Sequence, residues 1–401
     1  KKLGIPPSNV LINASHCHGI VRKDVDQLTI EAVLAASENM VKVKAGSGSG
    51  HENRIMENRR VYLTNGEQVD MRRAYPFPPD EQIAKIGPID PEIGILRLDK
   101  LNGDNLAVIY NFAVHPIQGV PNGGNTADMI GFASKVIEDN LEGSMAFFLQ
   151  GCGGDINPVS YKGVGTPPDA EPLGNMLGLS VLNALKEIPS KKVSKIHLIN
   201  ESMELPMADF QSRIKALEDR QMKLVQSFRG TNINLKTFLG LLDEHNNSAT
   251  YPSAYAMIGA CGLQTWDEVN KNDMTNYQNN IYIMEELIRV NTNLALVKMH
   301  NELAQGEPMI PVEILAVNIG DFYMVTFPGE LTVEIGLNIK ERSKYASTFV
   351  AGYTNGYIYY APTAEQLRNT GAAQEDSDTF LAPEWQALFE KKVEEMLNQL
   401  N

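Results

Sequence analysis

The chain of 401 residues contains little cysteine and no long apolar run. Its three cysteines, Cys17, Cys152 and Cys261, include no Cys-x-x-Cys pair. Three unpaired cysteines give neither a disulfide framework nor a zinc knuckle. No apolar run reaches the about 18 to 20 residues of a membrane span, and residues 1–7 lack the apolar stretch of a signal peptide. We therefore predict no transmembrane segment.

Basic charge is also scarce, and we find no basic patch. The sequence has 35 Lys and Arg residues and 49 Asp and Glu residues, which gives a formal net charge of −14 at pH 7. Because this charge repels phosphate backbones, we expect no nucleic-acid partner. A chain of this length buries enough apolar surface to fold without a structural metal, so any metal is expected to serve chemistry.

The order of apolar segments predicts an α/β (α+β) fold, with a mixed β-sheet flanked by helices. Residues 10–15 read as a short buried strand, and Asp24 begins a helix that the glycines of residues 46–50 end. Strands at 93–98 and 107–114 flank a turn at Asn102-Gly103-Asp104 and form a hairpin. Further elements are predicted as helices at 128–140 and 173–188 and a strand at 145–149.

The second part of the sequence contains a predicted helical insertion at about 206–308. Strands are then expected at 312–319, 322–327 and 349–353, with helices at 330–344 and 384–400. We predict one domain over residues 1–401. Since a strand at residues 10–15 normally follows an earlier element, we also expect an N-terminal part of the domain to precede this chain.

Three of the seven histidines lie where predicted strands end. His16 and His18 are separated by one residue, so an extended backbone places both imidazoles on one face. This spacing fits metal ligands, although one surface and one core histidine would look the same. His115 follows the strand predicted to end at Val114 and precedes Pro116, which cannot continue the ladder. Open α/β sheets bind ligands at this edge, which favours a shared site.

Two carboxylates that are candidates for the same site lie at further predicted turns. Asp155 follows the glycine turn Gly151-Cys152-Gly153-Gly154, and Glu330 lies between a strand and a helix, where it could also cap that helix. The tyrosine-rich stretch at 353–360 is typical of strand packing. Two histidines and a carboxylate are a ligand set that catalytic zinc sites use, with one position left open for water or substrate. Arg54 or a histidine that does not bind the metal would then stabilise an oxyanion.

These motifs together resemble the neutral/alkaline, non-lysosomal ceramidase family. The sequence Asn13-Ala14-Ser15-His16-Cys17-His18-Gly19 is similar to the family signature Asn-Ala-Ser/Thr-His-Thr-His-Ser-Gly. Other motifs occur in the family's order: Asn53-Arg54, Gly87-Pro88-Ile89-Asp90-Pro91-Glu92, Asn111-Phe112-Ala113-Val114-His115-Pro116, Ala127-Asp128, Gln150 to Pro158, Phe327-Pro328-Gly329-Glu330, and Tyr353-Thr354-Asn355-Gly356-Tyr357.

The resemblance implies a site and a reaction. Zinc would be held by four ligands, His16, His115, Glu330 and Tyr360, of which the tyrosine comes from the resemblance alone. His18 and Arg54 would lie beside the metal and stabilise the oxyanion, while Asp155 or Asn157 would orient the substrate. Zinc-bound hydroxide would attack the N-acyl amide of ceramide, a step of sphingolipid metabolism. The family is mostly exported, so the resemblance also implies a secreted or periplasmic protein.

The sequence departs from the family at groups that face the substrate. Asn157 stands where the ceramidases have a serine, and an amide cannot act as a nucleophile. Cys17 replaces a threonine, and residues 370–373 lack the tyrosine that the family carries after Tyr360. We also expect this sequence to lack the immunoglobulin-like domain that follows the catalytic domain in the ceramidases. The substrate could therefore be another amide, an ester or a carbohydrate-linked compound, or the protein could be a non-catalytic zinc-binding protein. Its oligomeric state stays open.

Overall fold

The computed structural model describes residues 3–70, 80–119, 126–159, 168–232, 260–369 and 373–400, and leaves the side chains of 260–270 undescribed. The helices are α1 (Val25–Glu38), α2 (Asp128–Asn140), α3 (Glu171–Leu185), α4 (Phe210–Ser227), α5 (Ala260–Ala304), α6 (Val333–Arg342) and α7 (Trp385–Gln399). The strands are β1 (Val43–His51), β2 (Met56–Asn58), β3 (Arg60–Leu63), β4 (Gln68–Asp70), β5 (Ile83–Ile86), β6 (Glu92–Lys100), β7 (Asn105–Phe112), β8 (Met145–Gln150), β9 (Ile156–Pro158), β10 (Ile196–Pro206), β11 (Met309–Ile319), β12 (Phe322–Thr326), β13 (Glu330–Leu331), β14 (Thr348–Ala351) and β15 (Tyr360–Ala361).

The first large sheet has the strand order β1-β6-β7-β8. β1, β6 and β7 run antiparallel, and β8 lies parallel to β7 after the crossover helix α2. α2 and α3 cover one face of this sheet. They approach each other closely at Gly174, where an added Cβ would lie 2.4 Å from the Met129 carbonyl oxygen. The hairpin between β6 and β7 confirms the turn that the sequence predicts.

The second large sheet repeats this plan with the order β10-β11-β12-β14. β10, β11 and β12 run antiparallel, and β14 lies parallel to β12 after the crossover helix α6. α7 covers its outer face through Trp385 and Phe389, which are both fully buried.

The two sheets pack against each other through their inner faces. Leu96 of the first sheet and Met324 and Phe349 of the second share one core cluster. Gly94 permits this contact, because an added Cβ would lie 2.3 Å from Cδ1 of Phe349. The result is four layers, helices, sheet, sheet and helices. The α/β fold class is confirmed, with two mixed sheets where the sequence suggested one.

Two predictions for the N-terminal region are wrong. Residues 10–15 form no strand; Asn13 makes a single antiparallel bridge to Thr354, and Ile12 is 60% exposed. The glycines at 46–50 lie inside strand β1 and do not end a helix. They are needed because the end of α3 and the segment after it press on this strand: a Cβ on Gly48 would lie 2.6 Å from Cγ1 of Ile188.

A helical hairpin connects the first two strands of the second sheet. β10 and β11 pair along their whole length, from Ile196 opposite Ile319 to Pro206 opposite Met309, and α4 and α5 lie between them in the chain. Ion pairs join the two helices, including Lys298 Nζ to Glu218 Oε1 at 2.7 Å. The domain boundaries proposed from the sequence stay a prediction.

α1 packs poorly against the rest of the protein. None of its residues is buried, and Val25, Ile30 and Val33 are each about half exposed. In the described part of the chain, no helix combines the length and apolar character that crossing a membrane requires.

Candidate metal centre

His16 and His18 meet at their imidazoles, although the backbone between them is not extended. Both residues have left-handed backbones, with φ of 59° and 48°. The Nε2 atoms of the two rings lie 2.9 Å apart. The extended conformation assumed from the sequence is therefore wrong, but the two side chains converge as that assumption required.

His115 brings a third imidazole from the segment after β7. The side chain is fully buried, and its Nδ1 faces the backbone oxygens of Gly153 and Ile156, the latter at 3.2 Å. Because a carbonyl oxygen only accepts hydrogen bonds, Nδ1 carries the proton and Nε2 presents its lone pair. Burial, reinforced by the nearby charge of Arg59, lowers the pKa of His115 to about 3, which keeps the ring neutral.

Glu330 lies at the centre of the group. Its Oε2 is 3.2 Å from Nε2 of His115 and 3.3 Å from Nε2 of His16. A carboxyl oxygen of Glu330 thus faces the lone pair of the His115 ring in a buried position. Two acceptor atoms form an unfavourable pair there unless a proton or a metal cation lies between them.

Two tyrosines donate hydrogen bonds to the same carboxylate. The Tyr353 hydroxyl lies 3.1 Å from Glu330 Oε2, and the Tyr357 hydroxyl donates to Oε1. Burial and the negative charge of Glu330 raise the pKa of both phenols, so both stay protonated donors. The prediction from sequence assigned this stretch to strand packing and missed these contacts. Four tyrosines within eight residues were the signal that could have indicated them.

The donor set fits a zinc ion. The nitrogens of His16, His18 and His115 lie within 4.8 Å of one another. Imidazole nitrogen and carboxylate oxygen are the ligands of catalytic zinc sites. The hydrogen bonds from His115 Nδ1 to carbonyl oxygens supply the outer support that metal-binding histidines have.

Tyr360, the fourth ligand implied by the resemblance, lies beside Glu330. The two residues are Cα partners in the parallel pair of β13 and β15. The Tyr360 hydroxyl accepts a hydrogen bond from Nη2 of Arg59 at 3.2 Å. Its role as a metal ligand stays a prediction.

The arginine at this centre is Arg59, and Arg54 lies elsewhere. The Arg54 side chain is 62% exposed and pairs with Glu52, with Nε to Oε1 at 2.8 Å. The Arg59 side chain is buried and contacts Tyr360, Asn157 and the Gly154 carbonyl. The triplet Glu-Asn-Arg occurs at 52–54 and again at 57–59, and the prediction from sequence used the first copy.

Asp155 and Asn157 have different surroundings. Asp155 is fully buried, and both carboxylate oxygens accept hydrogen bonds, from the Val333 amide at 2.8 Å and from Nδ2 of Asn58 at 3.1 Å. Burial raises its pKa. Asp155 therefore braces the start of α6 against the segment before β3. Asn157 accepts from Arg59 at 3.3 Å, while its buried Nδ2 has no partner among the described residues.

Left-handed backbones concentrate around this centre. Outside glycine they occur at His16, His18, Asp128, Tyr353, Asn355 and Tyr359, and elsewhere in the described chain only at Gln305. Such conformations cost of order 1 kcal/mol or more each and persist where surrounding contacts impose them. At Asp128 the carboxylate accepts hydrogen bonds from three backbone amides, including Gln118 at 3.1 Å and Met129 at 2.7 Å.

The sequence matches no protein-family model. Two solved structures are similar to this chain. The neutral ceramidase from Pseudomonas aeruginosa aligns with a TM-score of 0.53 and 15% identity over 92% of this chain. A ceramidase complexed with C2 aligns with a TM-score of 0.56 and 16% identity over 97%. The chain has the neutral ceramidase fold. It spans 54% and 61% of the lengths of those two proteins.

The neutral ceramidase fold confirms the resemblance found in the sequence at the level of architecture. The region of 370–373, where the sequence lacks the family's tyrosine, lies outside the described residues except for Ala373, and so does the Cys261 side chain. Of the other cysteines, Cys17 is partly exposed between the two histidines and Cys152 is buried.

Proposed function

We propose that the protein is a zinc-dependent hydrolase of the ceramidase type, acting on an N-acyl amide such as that of ceramide. His16, His115 and Glu330 would hold the ion, with Tyr360 as the fourth ligand. The observation that carries this proposal is the convergence of His16, His115 and Glu330, with Glu330 Oε2 3.2 Å from the lone-pair side of the His115 ring, whose Nδ1 donates to backbone oxygens. The ceramidase fold of the chain supports the choice of reaction.

Zinc, when bound, would lower the pKa of a water molecule to about 7 and polarise the substrate carbonyl. The protein's own residues orient that chemistry. The exposed imidazole of His18, 2.9 Å from His16, lies on the open side of the centre, where it would bind the carbonyl oxygen. Arg59 takes the place proposed for Arg54 and holds the Tyr360 hydroxyl and the Asn157 side chain in position.

Asn157 would stabilise negative charge on the substrate. Its Oδ1 accepts from Arg59, which fixes the orientation of the amide and leaves the buried Nδ2 as a donor without a partner among the described residues. Preorganised N–H donors of this kind stabilise an oxyanion. Since the Asn157 amide cannot form an acyl-enzyme, we expect water to attack the carbonyl directly. Asp155 has both oxygens engaged and would support the site without touching the substrate.

Asn157 also favours a second candidate within the same chemistry. A centre that keeps the metal-binding groups but has an amide in place of the family's serine would suit a different amide, an ester or a carbohydrate-linked substrate. A non-catalytic zinc-binding protein is the third candidate, for the same reason. Export from the cytoplasm, as in the family, is part of this proposal.

Metal analysis and hydrolysis assays together test the proposed function. We expect about one zinc per chain after zinc loading and removal of excess, loss of that zinc in His115→Ala, and retention in His51→Ala, whose histidine lies outside the cluster. We expect the zinc-loaded protein to release fatty acid from a panel of labelled ceramides. Activity on other amides or esters alone would support the second candidate. Zinc binding without any hydrolysis would support the third candidate, a non-catalytic zinc-binding protein. If the wild-type protein binds no zinc, the proposed metal site is disproved.

A further inference from the structure

A fully buried histidine on the helical hairpin contacts Tyr359, the residue that precedes Tyr360 of the candidate metal centre. His300 of α5 has its Nε2 2.9 Å from Oδ1 of Asp378. The ring meets Tyr359 and Phe380 edge-on, with centroid distances of 4.6 Å and 4.7 Å. Its Nδ1 is buried and has no partner in the described part of the chain. The Asp378 carboxylate only accepts hydrogen bonds, so Nε2 carries the proton and donates it.

Both residues that His300 contacts most closely hold the backbone of the centre. The carbonyl oxygen of Tyr359 accepts the Glu330 amide at 2.8 Å. The carbonyl oxygen of Asp378 accepts the Tyr360 amide at 3.1 Å. Glu330 and Tyr360 are Cα partners in the short pair of β13 and β15. A strand pair of two residues on each side has few hydrogen bonds of its own, so its register depends on such neighbours.

A buried imidazole at this position is not explained by packing alone. An apolar side chain would fill the space between Tyr359 and Phe380 without leaving the unpaired Nδ1, and an unpaired buried polar atom costs about 1 to 3 kcal/mol. The Tyr359 backbone is moreover left-handed, with φ of 62°, and needs contacts that impose it.

We propose that His300 is a positioning residue, through which the helical hairpin of α4 and α5 fixes the Glu330 and Tyr360 strands of the metal centre. Its hydrogen bond orients Asp378, and its ring supports Tyr359. The proposal rests on the proposed function only in taking Glu330 and Tyr360 as metal ligands. The mechanical link between the hairpin and the two strands stands without any metal.

The test compares His300→Phe with His300→Gln. Phenylalanine keeps the aromatic contact and removes the donor, whereas the glutamine Nε2 can still donate to Asp378. Hydrogen exchange is measured on metal-free protein, with peptides covering 328–331 and 357–361. We expect faster exchange in both segments for His300→Phe, recovery for His300→Gln, and no change in the segment of His115. His197→Phe, a half-buried histidine on β10, is the matched control.

Zinc affinity gives a second readout, measured by competition with a chromophoric chelator. Outer residues that orient metal ligands typically change affinity about 10- to 100-fold. We expect a loss in that range for His300→Phe and a much smaller loss for His300→Gln. If His300→Phe does not fold, Asp378→Ala removes the same hydrogen bond and should accelerate exchange in the same two segments.

Several results would overturn the proposal. Unchanged exchange in both segments, or a uniform increase across the whole protein, would reduce His300 to a packing residue. Failure of His300→Gln to restore slow exchange would do the same. If the wild type binds no zinc, the proposed function fails while the exchange experiment still decides the role of His300.

Discussion

The two large sheets have the same strand plan and contribute different chemistry from the same place. In each, an antiparallel hairpin is followed by a segment, a crossover helix and a parallel strand. The segment after β7 carries His115, and the segment after β12 carries Glu330. Because the sheets pack face to face, these equivalent points meet, with His115 Nε2 3.2 Å from Glu330 Oε2. Each half therefore contributes one of the proposed ligands to the centre.

The halves differ in the segment that comes after the last strand of each sheet. After β8 the first half has three glycines in four residues, which let the backbone come close: a Cβ on Gly154 would lie 2.7 Å from the Glu330 carbonyl oxygen. After β14 the second half has Tyr353 and Tyr357, whose hydroxyls hold the carboxylate. The first half thus holds His115 through backbone carbonyl oxygens that accept its hydrogen bond. The second half holds Glu330 through tyrosine hydroxyls that donate to it. The shared strand order of the two sheets thus determines where the proposed ligands lie. The residues next to each ligand determine which hydrogen bonds orient it.

The largest effect is expected from removing the proposed ligand of either half. Glu330→Gln and His115→Asn should each reduce zinc affinity by more than about 100-fold, which exceeds the effect of residues that only orient ligands. Competition with a chelator measures both. If one substitution abolishes binding and the other leaves it unchanged, the two halves do not share the metal and the comparison fails.

Zinc should also act as a bridge between the halves and stabilise the fold. Free zinc at about 100 times its Kd adds about 2.7 kcal/mol to the free energy of unfolding. For a chain of this length, that raises the unfolding temperature by about 3 °C. Calorimetry with zinc and with a chelator measures the shift. The Glu330→Gln variant should show none, and an equal shift there would place the stabilising ion elsewhere.

The glycine turn can be tested with Gly154→Ala. Its new Cβ would meet the backbone oxygens of Glu330 and Leu331 at 2.7 Å and 2.8 Å, so the two halves must move apart. We expect a loss of about 1 to 3 kcal/mol in the free energy of unfolding, together with weaker zinc binding. Gly230→Ala is the control, because a Cβ there meets nothing within 4 Å. Equal effects of the two changes would contradict the close approach.

The smallest effect is expected from the tyrosine hydroxyls. Tyr353→Phe and Tyr357→Phe each remove one donor from Glu330 and should weaken zinc binding about tenfold. Tyr282→Phe, on the exposed side of α5, should leave the affinity unchanged. Chelator competition again gives the measurement. Unaltered affinity in both site variants would mean that the carboxylate needs no orientation from the second half.

Topology explains why much of this was predictable from the sequence. A residue just after a strand is found by tracing the apolar pattern, and this located His115 and Glu330. Long helices such as α2 and α7 were predicted within a few residues of their bounds. The chemistry of the ligand set depends on residue type, and the geometry of the fold brings those types together.

Other features depend on contacts between distant segments, which the sequence does not reveal. The glycines of β1 predicted the end of a helix, but they lie in a strand, where Ile188 packs too close for a Cβ. The choice between Arg54 and Arg59 depends on which copy of a repeated triplet turns inward. His16 and His18 have left-handed backbones, which non-glycine residues rarely adopt, so local propensity could not indicate them.

The pairing of Pro206 with Met309 has a consequence for how this protein can vary through evolution. Strands β10 and β11 pair up to the base of the helical hairpin. A change in hairpin length away from this base would therefore leave the hydrogen bonds between the two strands intact. Closing a longer surface loop adds little entropy cost. Among the described residues, the contact of His300 with Asp378 ties the base of the hairpin to the candidate centre. Relatives of this chain should therefore differ most in hairpin length and least at that junction.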